Sequence, residues 1–160
     1  AQGLPGRRVA YSRMYLAPGG HTPVFPYESA FLHVEKGAPG IPVLFRTPVT
    51  LDVEAQMREA GVVAKDARKE PCDSVFEEFE FLSYMFAKQA DALSRMADDA
   101  AVAWGERART FARDHLLNWL PMLTGDMRMF SRTTFYQGLA QLTMGYVEED
   151  EAVLSELLDG

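Results

Sequence analysis

Apolar residues recur along this chain at the three- and four-residue steps of helices, and no stretch alternates convincingly in the manner of a strand. Over residues 7–17, Ala10, Tyr11, Met14 and Tyr15 share one face. Pro18-Gly19-Gly20 then ends the helix by removing a donor and permitting positive φ. Residues 18–47 are rich in proline and glycine. So long a structureless stretch is unusual inside a compact domain, so a short helix is expected near residues 27–35. The following helix has clear ends, with Thr47 as cap, Pro48 in the first turn and Gly61 after the last.

The longest helical pattern opens after Glu70-Pro71, with Asp73 as its expected cap and Glu77 and Glu78 at its positive end. Val75, Phe76, Phe79, Leu82, Met85, Phe86, Leu93 and Met96 make its broad buried face. Asp73, Glu77, Glu80, Tyr84 and Lys88 fall opposite, and Asp91 with Arg95 forms a favourable i,i+4 pair. A further helix is expected over residues 97–119, with Trp104, Ala108, Phe111, His115 and Trp119 along one stripe. Pro121 and Gly125 are expected to interrupt the chain beyond it. A last helix over residues 134–158 turns Phe135, Leu139, Leu142 and Tyr146 inward, with a break near the acidic run 148–151. The prediction is an all-α, single-domain helical bundle covering residues 1–160.

Charge and composition narrow the function classes. The chain carries 16 Lys+Arg against 23 Asp+Glu, a formal charge of −7 that repels nucleic acid and anionic membrane and attracts cationic partners. No run approaches a membrane span. Arg7-Arg8 is not followed by an apolar core, so it reads as a solvated helical turn rather than an export signal. The chain begins at Ala1 rather than Met, which leads us to expect a segment upstream. Cys72 is the single cysteine, so disulfide frameworks and multi-thiolate metal sites are excluded and a reducing, cytoplasmic compartment is expected.

Catalytic signatures are missing. There is no phosphate loop, no dinucleotide glycine motif, and no His-Glu-x-x-His or Glu-x-x-His pair, so neither a metal nor a catalytic set is read from the sequence. Acidic neighbours of Cys72 raise its pKa and disfavour thiolate chemistry. Asp114 and His115, adjacent on a helix, point about 100° apart and do not form a dyad. The expectation is a protein that is not an enzyme.

Three segments carry information together. Tyr11-Ser12-Arg13-Met14-Tyr15-Leu16-Ala17-Pro18-Gly19 is followed by Pro26-Tyr27-Glu28-Ser29-Ala30-Phe31. Glu70-Pro71-Cys72-Asp73 leads into Phe76-Glu77-Glu78-Phe79-Glu80-Phe81-Leu82. Phe111-Ala112-Arg113-Asp114-His115-Leu116-Leu117-Asn118-Trp119-Leu120-Pro121 is followed by Phe135-Tyr136. In this order and spacing they resemble the TorD/DmsD family of redox-enzyme maturation chaperones, over roughly residues 11–146. Departures are Ser74 where that family carries histidine, Arg46 where it carries glycine, and Phe25-Pro26 in place of a double proline. Family members also carry helices ahead of the first motif, and the resemblance implies that those are missing here.

The resemblance implies an all-helical cytoplasmic chaperone that binds the twin-arginine leader, or the body, of an immature molybdopterin oxidoreductase subunit until its cofactor is inserted. It implies no tightly bound cofactor, with transient contact to the molybdopterin cofactor or a guanine nucleotide, and leaves a homodimer open. Carried over by position, the peptide site falls on Tyr11, Met14, Tyr15, Pro26, Tyr27, Glu28, Glu70, Pro71, Asp73, Ser74, Glu77 and His115. Physically, a guanidinium pair followed by an apolar segment asks for an acidic rim beside an apolar groove. By pattern alone the same residues have plainer uses: Tyr11, Met14 and Tyr15 as a core face, Asp73 as a cap, Glu77, Glu78 and Glu80 as a solvated face, His115 and Trp119 as packing. A dimerising assembly subunit and a helical acid/base enzyme remain the alternative classes.

Overall fold

The computed structural model describes residues 4–15, 24–63, 70–131, 134–143 and 145, and helices dominate them. In chain order these are α1 (Leu4–Tyr15), α2 (Glu28–Glu35), α3 (Pro48–Glu59), α4 (Val75–Ser94), α5 (Asp98–Phe111), a π-helical turn (Ala112–Leu116) and α6 (Leu117–Phe130), then a helical stretch over residues 134–143. Among the described residues the one β-type pairing is an isolated antiparallel bridge between Tyr27 and Ser74. The expected all-α class is correct. The chain divides into two compact units, one from Tyr27–Asn118 and one from the portions of chain on either side of it.

The Tyr27–Asn118 unit is built on α4 and α5, which pack along each other. The buried positions of α4 are Glu78, Phe81, Leu82, Met85 and Ala92, a helical stripe facing the small residues Ala101 and Ala108 and the ring of Phe111 on α5. Phe81 meets Phe111 edge to face at 4.8 Å, and Tyr84 meets Trp104 similarly at 6.0 Å. The predicted face is rotated from this one. Phe76, Leu93 and Met96 are exposed, while Phe81 and Glu78 are buried. The difference arises because α4 has apolar residues on more than one side, so spacing alone leaves its orientation undetermined.

The capping of α4 also differs from expectation. Ser74, not Asp73, caps it, its Oγ accepting from Glu77 N at 3.3 Å. Asp73 instead caps α2: its carbonyl accepts from Glu28 N and its Oδ2 from Ser29 N, both at 2.9 Å. Tyr27, at the N-cap position of α2, supplies no side-chain cap. α3 follows the sequence reading closely. Thr47 Oγ1 accepts from Thr50 N at 3.1 Å, Pro48 occupies the first turn, and Gly61 at φ 78° closes the far end.

In the flanking unit, Tyr15 is buried and packs edge-on to Tyr136 at 6.3 Å, with Tyr11 tilted against Tyr15 at 4.9 Å. Pro121 and Gly125 do not interrupt α6. Removing one amide donor costs about 3 kcal/mol, and burial of Trp119, Leu120, Leu123, Thr124 and Met127 outweighs it. Over residues 134–143, Tyr136 and Ala140 are buried while Phe135, Leu139 and Leu142 are exposed, one step from the predicted face. Tyr146, the acidic run 148–151, and the side chains of Ala10 and Met14 lie outside the described residues. Among the described residues no helix is long and apolar enough to cross a membrane.

Candidate functional site

The Tyr27–Asn118 unit holds two features of functional interest, and α3 contributes to both. The first is a buried polar centre around His115. The π-helical turn interrupts the regular spacing between α5 and α6, and His115 sits within it, 4% exposed. Nδ1 lies 2.8 Å from Glu28 Oε2 on α2, and Nε2 lies 2.9 Å from Asp52 Oδ2 on α3. Gln56 Nε2 donates to the same Asp52 oxygen at 2.9 Å, and the Phe111 ring packs on the imidazole at 5.0 Å.

Two carboxylates facing both ring nitrogens favour the imidazolium. Burial opposes that charge, and the hydrogen bonds and charges of Glu28 and Asp52 outweigh it, raising the His115 pKa above the ordinary imidazole value. Glu28 is buried and Glu78, from the first turn of α4, is completely so. The ligand atoms of Glu28, Glu78 and His115 all lie within 4.8 Å of one another. Asp114 faces away into solvent, paired with Arg113 at 2.7 Å, and that guanidinium holds its carboxyl below the usual range.

The second feature is an open apolar groove of about 500 Å³ beside α3. Phe45, Leu51, Met57, Val62, Val63 and Pro71 give it its greasy lining, and Arg46, Arg58 and Glu54 stand on it. Leu51 and Val63 are exposed there, as are Ile41 and Val43 just upstream. Cys72 also lines the groove and donates its S–H to Thr50 O at 3.1 Å. Burial, then Asp73 and Glu54, pushes the thiol up to about 11, as its acidic surroundings led us to expect.

Glu70 immediately precedes the groove-lining pair Pro71-Cys72 and is half-buried. Burial first, then the like charges of Glu80 and Glu70, raises the pKa of Glu77. Glu77 at the start of α4 therefore has like charges around it.

The sequence-predicted site residues are thus sorted by the fold. Tyr27, Glu28, Asp73 and Ser74 are brought together at the α2 and α4 starts, but Asp73 and Ser74 are wholly buried and committed to capping. The segments of Tyr27 and Asp73 are joined directly, by the Tyr27–Ser74 bridge and by the Glu28–Asp73 backbone hydrogen bond. Glu28 and His115 meet in the polar centre. Pro71 lines the groove, Glu70 precedes it in the chain, and Glu77 lies in the first turn of α4. Tyr11, Tyr15 and Pro26 belong to the flanking unit, and Met14's side chain is outside the described residues. Sequence reading missed Asp52, Glu78 and Leu51. Buried Glu78 had one available signal: it stands three and four residues before Phe81 and Leu82 on the apolar stripe.

The model of the nitrate reductase delta subunit family matches residues 4–125. The chain is 26% identical over 103 residues to the chaperone protein TorD of Vibrio parahaemolyticus, covering 64% of this chain and 46% of that protein. It is 28% identical over 113 residues to a perchlorate reductase assembly chaperone of Dechloromonas aromatica, covering 71% and 48%. A TorD chaperone of Vibrio cholerae matches at 27% over 108 residues, covering 64% and 47%. The chain spans about half the length of these curated relatives. No solved structure matches it.

Proposed function

The chain belongs to the nitrate reductase delta subunit family, and on that premise we propose that it is a non-catalytic cytoplasmic chaperone for the catalytic subunit of a molybdopterin oxidoreductase, binding that subunit's twin-arginine leader before export. The resemblance to TorD-type chaperones read from the motifs agrees with the family match. The observation that supports the leader-binding part is the apolar groove beside α3, whose lining pair Pro71-Cys72 directly follows Glu70 in the chain.

A twin-arginine leader has its charge and its grease in that order. The arginine pair meets the carboxylates at the start of α4, and the following apolar segment lies along Pro71, Leu51, Met57 and Phe45. Arg46 and Arg58 repel the guanidinium end, which sets the direction of the peptide. Micromolar affinity needs about −8 kcal/mol. Exposed ion pairs supply about 0–1 kcal/mol each and orient the chain. Burial of three or four leader side chains, at about 1.5–3 kcal/mol apiece less ordering costs, supplies most of the affinity. On this reading no organic cofactor is held tightly, and molybdopterin or guanine nucleotide is met only in passing.

The test is titration calorimetry with a peptide carrying two arginines and the apolar segment, beside its Lys-Lys variant. Micromolar binding that weakens in the Lys-Lys variant is expected. Absence of heat with every candidate leader, on the full-length protein, removes leader binding. Capture of the leaderless catalytic subunit under the same conditions then assigns the chaperone to the client's folded body instead.

A further inference from the structure

We infer that Glu28, Glu78 and His115 form a binding site for one divalent transition-metal ion of the zinc class, a role independent of the client proposed above. The three come from α2, α4 and the π-helical turn, and no local motif joins them. All are buried, and their ligand atoms lie within 4.8 Å of one another. Two carboxylate oxygens and one imidazole nitrogen suit zinc and its neighbours rather than calcium or magnesium, which take oxygen alone. A tetrahedral ion with bonds of about 2.0–2.2 Å holds its ligands about 3.4 Å apart, so side-chain adjustments of about 1 Å close the set around it.

Charge and outer contacts agree. With His115 neutral the three buried ligands carry two negative charges, which a divalent ion balances. The ion takes the place of the Nδ1 proton, which leaves to solvent, and Nε2–H continues to donate to Asp52. Asp52 is itself held by Gln56. A carboxylate on the far nitrogen of a metal-bound histidine fixes its tautomer and ring orientation. A fourth carboxylate stands nearby: Asp73 accepts from the Glu28 amide through its carbonyl, its own charge is coupled to that of Glu28, and its buried Oδ1 makes no hydrogen bond among the described residues.

Titration of the protein with Zn²⁺ alone by calorimetry, and with Co²⁺ alone by visible absorption, tests this. One ion per chain is expected, with affinity lost by about 100-fold or more in Glu28→Gln and Glu78→Gln and by about 10–100-fold in Asp52→Asn. His33→Asn, outside the set, leaves affinity unchanged. Nitrogen-15 spectra of the histidines give a reading that does not depend on the variants folding: zinc shifts the Nδ1 resonance of His115. A folded protein that binds neither ion overturns the inference, as does metal binding that leaves the His115 resonances in place or is unaltered in both glutamine variants.

Discussion

Two sides of one short helix contrast sharply. On α3, Asp52 and Gln56 turn towards His115, where acceptors and donors find partners inside the protein. Leu51, Glu54 and Arg58, their neighbours in sequence, stand on an open groove whose apolar atoms meet water. The first side makes its hydrogen bonds within the fold, so perturbing it is felt as stability and in the metal affinity inferred above. The second has apolar surface left over, so perturbing it is felt by whatever binds.

The largest effect separating the sides comes from His115→Ala. It strands the buried carboxylate of Glu28 and is expected to cost about 3–5 kcal/mol in urea denaturation, whereas Leu51→Ser changes stability by less than about 0.5 kcal/mol. Equal costs for the two variants erase the contrast. Next comes binding. Leu51→Asp is expected to weaken leader affinity by about 1.5–3 kcal/mol, at least tenfold in calorimetry, with Asp52→Asn leaving it unmoved. A loss in Asp52→Asn comparable to that in Leu51→Asp moves the peptide to the polar side.

A smaller effect tests the capping that frames the polar centre. Asp73→Ala leaves the Ser29 amide without its acceptor and is expected to lower stability by about 1–2 kcal/mol. Asp73→Asn keeps an accepting oxygen and removes a buried charge whose pKa is raised by burial, so it costs less than the alanine variant at neutral pH. Thermal melts of the two variants compare them directly; an equal loss in both means that the charge, not the hydrogen bond, holds α2. The smallest effect is a rate. Because the raised pKa keeps Cys72 a thiol at neutral pH, a disulfide reagent reacts with it only sluggishly until the pH climbs towards 11. Reaction rising near pH 8.5, as for a free cysteine, shows that the groove wall at Cys72 is open to water.

Much of the helical architecture was readable from local patterns because caps and breakers act within a few residues. Thr47, Pro48 and Gly61 set the ends of α3, and Asp91 with Arg95 made the expected surface pair at 2.5 Å. Wherever two neighbours offered the same chemistry, sequence reading had no means to choose. Asp73 and Ser74 are both good caps, and only the approach of α2 directs Asp73 to a different helix. Glu77 and Glu78 are adjacent acids in one first turn, yet one is half-buried beside like charges and the other is completely enclosed.

By itself the sequence determined the helical class, the ends of α3 and the family, all of which depend on short-range spacing or on ordered motifs. Only the tertiary structure decided that His115 meets Glu28 across 87 residues and Asp52 across 63, and that Pro121 stays within a helix. It also decided which face of α4 is inside. The reason is that burial and charge pairing depend on what the rest of the chain brings alongside, while a residue's own neighbours limit only its backbone.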